Sequence, residues 1–346
     1  MIGSKRLHVL AAGLVLACGC LVVLIIVGPR LYRLLLTGSS ATVPDFDSTL
    51  QALITPGTAS NTPASMTPEV AGSSTDPSGK IVFTCQDQSA EHICIVNADG
   101  SDFRQLTPPD GFRRFYPSPA PDGKSVVFSQ YREDNVYEIY ELPLADGAPI
   151  RLTDRLGVLN APEISQDGKM VVFMRWTVVS DQNQIWLMDR DGGNPRRLFS
   201  GTGWDPTWSP DGSQILFASD IDGAPQLYAV NLDGAGLRRI SDLPAIRGRS
   251  DWSSHGMIAT YSGAPWKREV YIMEADGSNP RQVSPAGGNS QGPSFSPDGQ
   301  WIAFTSYIDK YGDDLGCEIY IIRTDGTDLR RLTNNDYCDY QPRWGP

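Results

Sequence analysis

The segment Trp204-Asp205-Pro206-Thr207-Trp208-Ser209-Pro210-Asp211-Gly212 is the clearest copy of a unit that recurs along this chain. A short apolar stretch runs into a tight turn, in which proline fixes φ and glycine accepts a positive φ. Two segments rich in β-branched and aromatic residues follow, Gln214–Ser219 and Gln226–Leu232. Asp233-Gly234 then turns the chain into Leu237–Ile240. This order predicts four short antiparallel strands.

Two interleaved series of turns repeat this unit about every 44 residues. The first series ends at Gly79, Gly123, Gly168, Gly212, Gly256 and Gly299, and its leading half recurs before Gly345. The second comprises Asp99-Gly100, Asp146-Gly147, Asp191-Gly192, Asp233-Gly234, Asp276-Gly277 and Asp325-Gly326, usually followed by a basic residue and Leu-Thr or a similar pair. A period in the forties with strand-like segments between turns is typical of a β-propeller.

The two ends of the repeat array are out of phase. The copy that begins at Ser78-Gly79 has no innermost strand before it, whereas Asp339–Gly345 matches an innermost strand and follows the last copy. We therefore predict that Asp339–Gly345 completes the first blade. The expected fold is an all-β propeller over residues 78–346, with six four-stranded antiparallel blades and no open sheet edge.

The N-terminal region predicts a membrane anchor. Val9–Val27 is an uninterrupted apolar run of 19 residues with basic residues on both sides, long enough to span a bilayer. We expect residues 9–27 to be an uncleaved transmembrane signal anchor after a short tail, residues 1–8, because cleaved signal peptides normally have shorter apolar regions. A cleaved lipoprotein is the alternative, since Val15–Cys18 loosely resembles a lipobox.

Residues 28–77 are predicted to be a flexible linker. This region is rich in Ser, Thr, Pro, Ala and Gly, and it has no Lys or Arg between Arg33 and Lys80. Such a composition cannot bury a core. We therefore expect a single-pass protein of the cell membrane with an extracytoplasmic propeller.

The repeat is specific enough to suggest a family. Pro-x-Trp-Ser-Pro-Asp-Gly, an apolar strand ending in Phe-x-Ser, Ile-Tyr-x-Met/Ile, and Asp-Gly with a trailing Arg-Leu-Thr resemble the WD-repeat-like, PD-type propeller repeat of the TolB family. The resemblance covers about residues 78–346. It implies a six-bladed propeller outside the cytoplasmic membrane that binds partner proteins of the envelope. The chain departs from TolB in showing no recognisable α/β domain before the repeats.

Four cysteines of the repeat region bear on the compartment. Cys85 and Cys94 flank one hairpin loop, while Cys317 opens a third strand and Cys338 lies just before the closing segment. Of the three pairings that four cysteines allow, we favour Cys85 with Cys94 and Cys317 with Cys338. Disulfides would place the propeller in an extracytoplasmic compartment. The alternative is four free buried thiols in the cytoplasm.

Composition and motifs exclude several function classes. The net charge of −11 argues against nucleic acid as a partner. Gly288–Gly292 fits Gly-x-Ser-x-Gly, but Pro293 follows at once where a nucleophile elbow needs a helix. Turns such as Asp189–Asn194 lack the further bidentate acid of a calcium loop, and we interpret them as Asx-stabilised turns. We predict no catalytic residue, metal or cofactor.

The loops that lead into the innermost strands are the predicted binding surface, at the mouth of a central channel. The candidate ligand-binding residues are Arg113, Arg114, Tyr116, Asn160, Trp204, Asp205, Arg249, Asp251, Gln291 and Tyr340. Arginine and aromatic residues of this kind dominate interface energetics. The alternative for Tyr116 and Trp204 is that they only cap the packing of the blades.

These observations favour a non-catalytic, membrane-tethered propeller that binds a protein, a peptide or another cell-envelope ligand. The alternative is an extracytoplasmic glycan- or peptide-processing enzyme that uses channel-facing acids such as Asp205 and Asp251. The chain has only 3 histidines, too few for a typical metal-dependent site.

Overall fold

Short strands and tight turns alternate through the part of the chain that the computed structural model describes, residues 76–145 and 147–346. In these residues no helical segment has the length and hydrophobicity of a membrane span. The predicted anchor, residues 9–27, the tail, residues 1–8, and nearly all of the predicted linker lie outside the described residues, as does Asp146.

The strands form antiparallel meanders of four, which confirms the prediction of an all-β propeller. In chain order they are β1 (Lys80–Gln86), β2 (Glu91–Asn97), β3 (Arg104–Gln105); β4 (Arg114–Pro119), β5 (Ser125–Glu133), β6 (Val136–Pro143), β7 (Ile150–Arg151); β8 (Val158–Ile164), β9 (Met170–Trp176), β10 (Gln184–Asp189), β11 (Arg196–Arg197); β12 (Trp204–Trp208), β13 (Gln214–Ser219), β14 (Gln226–Asn231), β15 (Arg238–Arg239); β16 (Asp251–Trp252), β17 (Met257–Ser262), β18 (Glu269–Glu274), β19 (Arg281–Gln282); β20 (Gln291–Phe295), β21 (Trp301–Ser306), β22 (Glu318–Arg323), β23 (Arg330–Arg331); and β24 (Asp339–Gly345). A single 3-10 turn, Ile308–Lys310, interrupts the described strands.

The first meander is closed by the last strand. β24 pairs antiparallel with β1, from Lys80 opposite Gly345 to Cys85 opposite Asp339, which gives the sheet order β24-β1-β2-β3. Three further sheets of the described region have four strands each, and one has eight. The eight-stranded sheet contains two meanders, β4–β7 and β8–β11, which one parallel pair, Tyr137 with Val158, joins.

The first series of turns owes its sequence to hydrogen bonds within the turn. Ser209 Oγ donates to Asp211 Oδ1 over 2.6 Å and accepts from the amide of Gln214 over 2.9 Å, while Gly212 takes a φ of 70°. The Ser209 hydroxyl is the main cause of a lowered pKa for Asp211. The same serine contacts recur at Ser165 and Ser296. Ser-Pro-Asp-Gly is therefore a self-contained turn.

The Leu-Thr pair after the second series also has a structural role. Thr333 Oγ1 accepts from the amide of Ile319 over 2.9 Å and donates to Glu318 Oε2 over 2.7 Å. Thr153 makes the corresponding contacts with Ile139 and Glu138. In each case the hydroxyl ties the end of a two-residue outermost strand to the start of the third strand, because both lie at the same end of the meander.

The hydrophobic core lies between neighbouring sheets. In one cluster Ile185 of β10 packs with Phe217 of β13, and both are fully buried. Gly203 lies against the same two side chains, where a Cβ atom would come within 2.8 Å of each. Adjacent meanders are therefore joined by close packing of apolar side chains.

Both favoured disulfides are present. Cys85 is bonded to Cys94, with Cα atoms 5.8 Å apart, and Cys317 is bonded to Cys338, with Cα atoms 4.6 Å apart. The free-thiol alternative and the other pairings are therefore wrong for this structure. Because Cys338 directly precedes β24, the second bridge fastens the closing strand to β22.

We predict that the Cys317→Ser/Cys338→Ser variant loosens the closing strand. A bridge spanning 21 residues contributes about 3 kcal/mol by restricting the unfolded chain. Amides of β24 should therefore exchange with solvent faster in hydrogen-exchange mass spectrometry, and the free energy of unfolding in urea should fall. The matched variant, Cys85→Ser/Cys94→Ser, should lose stability without selective exchange in β24. Equal protection of β24 in all three proteins would contradict this role.

Asp339, the first residue of β24, is a buried acid. It is fully buried beside Glu318, accepts a hydrogen bond from Asn335 Nδ2 over 2.8 Å, and lies next to the Cys317–Cys338 bridge. Burial, and then the charge of Glu318, raise the pKa of Asp339 to about 7. The folded protein therefore binds a proton that the unfolded chain releases near pH 4.

This difference predicts how stability changes with pH. Since the folded pKa is raised, the stability due to protonated Asp339 is complete below pH 4 and is lost as the pH rises towards 7. Asp339→Asn should therefore melt at a higher temperature than the unmodified protein at pH 8, with a smaller difference at pH 5. Asp336→Asn, an exposed neighbour, is the control and should not show this pattern. A constant difference for Asp339→Asn across this range would refute the assignment.

Candidate functional site

The two ends of the propeller channel differ in the loops that surround them. In a meander the strands alternate in direction, so the innermost strands all begin at one end, which we call the mouth face, together with the loops between second and third strands. Both series of Asp-Gly turns lie at the other end, which we call the Asp-Gly face.

A left-handed residue lies near the start of every innermost strand of the described region. These residues are Tyr116, Ala161, Asp205, Arg249, Gly292 and Gln341, with φ between 39° and 62°. In all of these strands but β16, the register of the ladder shifts at this point. Such bulges bend a strand and re-aim side chains. Five of the six residues line one cavity on the channel axis.

This cavity, the mouth cavity, brings together half of the candidate residues from the sequence. It has a volume of 210 Å³ and is lined by Tyr116, Asp205, Arg249, Gln291 and Tyr340, together with Tyr261, Gly292, Thr305 and Gln341. A second cavity of 310 Å³, the side cavity, is lined by Tyr116, Trp204 and Asp205 with Met174 and Asn183. The two cavities share Tyr116 and Asp205, so they adjoin each other.

Arg249 forms the floor of the mouth cavity. Its Nη2 donates to the carbonyl oxygens of Pro117 and Gln341, each over 3.1 Å, and its guanidinium lies 5.2 Å from the ring centre of Tyr116. Burial lowers the pKa of Arg249 to about 10, and burial also raises the pKa of Asp205 beside it. Because Arg249 is bonded to backbone oxygens of two other meanders, it braces the ring at this level.

A second ring of side chains lies two residues further along each innermost strand. Charged and hydroxyl residues alternate around it, in the order Arg343, Ser118, Glu163, Thr207, Asp251 and Ser294. The hydroxyls orient the acids. Thr207 Oγ1 donates to Glu163 Oε1 over 2.9 Å, and Ser294 Oγ donates to Asp251 Oδ2 over 3.0 Å.

Arg343 lies between the two acids of this ring. Its Nη2 is 3.4 Å from Glu163 Oε2, and its Nη1 is 3.6 Å from Asp251 Oδ1. Burial raises the pKa of Glu163, and the charge of Arg343 opposes that shift. The ring therefore holds two carboxylates around one guanidinium, which together tie three meanders across the channel axis.

A third cavity opens below this ring on the Asp-Gly face, and we call it the Asp-Gly cavity. Its volume is 300 Å³, and Glu163, Asp251 and Arg343 line it with residues of the first-series turns. The prediction that Asp251 lies at the mouth is therefore wrong. Asp251 lies two residues beyond the bulge, and this distance along the strand carries it past the mouth cavity into the lining of the Asp-Gly cavity.

The remaining candidate residues lie outside these cavities. Arg114 is only 2% exposed, and it bonds Gln130 and Asp110, so it braces the loop before β4 and is not free to contact a ligand. Arg113 is half exposed and pairs with Glu91 over 2.7 Å. Asn160 is half-buried on β8 and lines none of the cavities described above.

The sequence analysis missed several channel residues. Glu163 and Arg343 each follow a proline at the same position of the repeat, Pro162 and Pro342, so an alignment of the innermost strands would have shown a charged position. Tyr261 and Thr305 lie on second strands, where the repeats have mostly apolar or small residues. The sequence of the repeat therefore does not show that these two side chains face the cavity.

Comparisons with known proteins agree with the fold and the repeat. A family model for the TolB beta propeller domain matches residues 138–265. An uncharacterised protein of Agrobacterium fabrum is 30% identical over 212 residues, which are 55% of this chain and 68% of that protein. A TolB homolog of Chlorobium luteolum is 32% identical over 127 residues, 36% of this chain but only 28% of its own length.

Among solved structures, TolB from Acinetobacter baumannii superposes with a TM-score of 0.69. It is 23% identical, and the match covers 79% of this chain and 68% of that one. At this level of identity the likeness concerns the propeller fold.

The charged ring predicts an asymmetric response to substitution. Arg343→Met would leave two buried carboxylates without their cation, and it should lower the free energy of unfolding by about 3 kcal/mol. Glu163→Gln keeps an oxygen acceptor for Thr207 and leaves Arg343 paired with Asp251, so it should cost less than about 1 kcal/mol. Urea denaturation followed by tryptophan fluorescence measures both. Equal losses for the two variants would show that Arg343 does not balance the ring.

Proposed function

Because this chain belongs to the TolB β-propeller family, we propose that it binds a segment of a partner protein or peptide at its mouth face and has no catalytic activity of its own. The observation that carries the proposal is the adjoining pair of cavities around Tyr116 and Asp205. Together they form a depression that extends from the channel axis towards β9 and β10.

The lining of this depression suits a peptide segment. Trp204 and Tyr340 are partly exposed aromatic side chains, and Tyr116 and Tyr261 add two more rings. Aromatic residues provide large contact areas with little loss of conformational entropy, and they dominate interface energetics. Gln291, whose Oε1 already accepts from Arg268 Nη1 over 2.6 Å, supplies a polar group of fixed position.

Exposed apolar side chains lie on the same face. Val178 and Val179 are 65% and 98% exposed in the loop between β9 and β10, the loop that also provides Asn183 to the side cavity. Ile221 is 44% exposed in the corresponding loop of the next meander. Apolar residues beside a binding depression favour a protein partner over a small polar ligand.

The positions of Asp205 and Asp251 argue against catalysis by this pair. Asp205 lines the mouth and side cavities, whereas Asp251 lines the Asp-Gly cavity. Two carboxylates in separate cavities cannot act as an acid–base pair on one bond. Asp251 is also held by Ser294 and by the amide of Phe295 over 2.7 Å, which suits a structural role.

The finer architecture is part of the proposal. The sheet order supports a ring of six blades, with β24 as the innermost strand of the first. The two disulfides support an oxidising, extracytoplasmic compartment. Together with the apolar run Val9–Val27, they favour a membrane-tethered propeller that presents its mouth face to envelope partners.

We predict that Val179→Asp/Ile221→Asp weakens partner binding. Both side chains are exposed, so the variant should fold normally, while two charges at the rim should oppose docking of an apolar partner surface. The measurement is affinity capture from envelope extracts with the full-length protein, with quantification by mass spectrometry of proteins that the unmodified chain enriches.

Leu237→Asp provides the matched control. Leu237 is 39% exposed beside a second-series turn on the Asp-Gly face. The mouth-face variant should capture at least about tenfold less of the partner than the unmodified chain, and the control should capture the same amount. If both variants capture the partner equally, or if only the control loses it, the mouth face is not the binding surface.

A further inference from the structure

The Asp-Gly cavity is not used by the proposed function, although it has the features of a small binding site. It lies at the end of the channel opposite the mouth face, and none of its lining residues belongs to the mouth cavity or the side cavity. Its 300 Å³ is at the lower end of the range for ligand pockets. That volume suits one or two amino-acid residues.

The roof of the cavity has an excess of negative charge. Glu163 and Asp251 are only 16% and 20% exposed, and they share one cation, Arg343. Both separations from Arg343, 3.4 and 3.6 Å, are longer than charge-assisted hydrogen bonds. A further cation in the cavity would complete the neutralisation of the two acids at short range.

Arg343 supplies an independent feature. Its side chain is 7% exposed, and its Nη1 has no hydrogen-bond acceptor among the residues that the structure describes. A buried guanidinium nitrogen without an acceptor is costly. The roof of the cavity therefore consists of two carboxylates and, between them, a buried guanidinium nitrogen that lacks an acceptor.

The walls combine hydroxyl groups of serine residues with apolar side chains. Trp252, Phe295 and Trp344 contribute aromatic surface, and Pro210 and Pro297 come from the rigid first-series turns. This surface would pack against a short aliphatic side chain. A ligand that satisfies the whole cavity needs a cation, an acceptor a few ångströms from it, and a small apolar group.

We propose that the Asp-Gly cavity binds the free N-terminus of a peptide or protein. The α-ammonium group would contact Glu163 and Asp251, and the first side chain would pack against the aromatic wall. The first carbonyl oxygen would accept from Arg343 Nη1 after a rotation of the guanidinium towards the cavity. A lysine side chain or a simple amine carries the charge without the neighbouring acceptor. The site is independent of the partner surface proposed for the mouth face.

The test uses the purified full-length chain and trialanine amide as the probe. Saturation-transfer NMR measures binding. A change in tryptophan fluorescence that is lost in Trp252→Phe reports occupancy of the cavity, since Trp252 is one of the 8 tryptophans of the chain. We expect trialanine amide to bind and its N-acetylated form to bind at least about tenfold more weakly, because acetylation removes the charge. Glu163→Gln and Asp251→Asn, each checked for folding by urea denaturation, should weaken binding of the free peptide by a similar factor.

Two controls separate this site from the mouth face. Tyr340→Phe, in the mouth cavity, and Val179→Asp/Ile221→Asp, at the rim, should leave binding of trialanine amide unchanged. n-Butylamine should compete poorly, since it lacks a carbonyl group. The proposal is overturned if the acetylated peptide binds equally well, if n-butylamine competes as effectively as the peptide, if the two acid variants bind normally, or if trialanine amide does not bind.

Discussion

The pairing of β24 with β1 is the constraint on which the rest of this structure depends. An open propeller would expose the edge of β1 and leave the channel without one wall. β24 also carries Gln341 and Arg343, which complete the two rings of side chains: Gln341 Oε1 accepts from the amide of Tyr116 over 2.8 Å, and Arg343 lies between the acids of the lower ring. The pairing of β24 with β1 therefore both closes the fold and completes the lining of the channel.

The turns made the fold predictable from sequence. The Ser-Pro-Asp-Gly turn is stabilised by hydrogen bonds between its own residues, so the spacing of its copies predicted where each meander begins. Because the first copy has no innermost strand before it, the sequence also predicted that Asp339–Gly345 pairs with the first meander. The disulfides were predictable because each pair of cysteines flanks one hairpin or one connection. These features depend on contacts that are local within one meander, which a single repeat can show.

The site was less predictable because its contacts join different meanders. Arg114 and Arg343 are the same residue type on innermost strands, yet one braces its own loop and the other crosses the channel. Asp251 was predicted at the mouth although it lies two residues beyond the bulge. Because β16 has only two residues, the sequence does not show where along this innermost strand Asp251 lies. The five residues that do meet in the mouth cavity share a position in the repeat, near the left-handed bulge.

The alternation of charged and hydroxyl residues around the lower ring has a consequence for any elongated ligand on the channel axis. Six identical blades would offer six equivalent rotational settings, and a ligand entering them would be bound in all six. Arg343, Glu163 and Asp251 occupy alternate positions and differ from one another, so no rotation about the axis maps the ring onto itself. A ligand that extended along the axis as far as this ring would therefore be bound in one rotational orientation only.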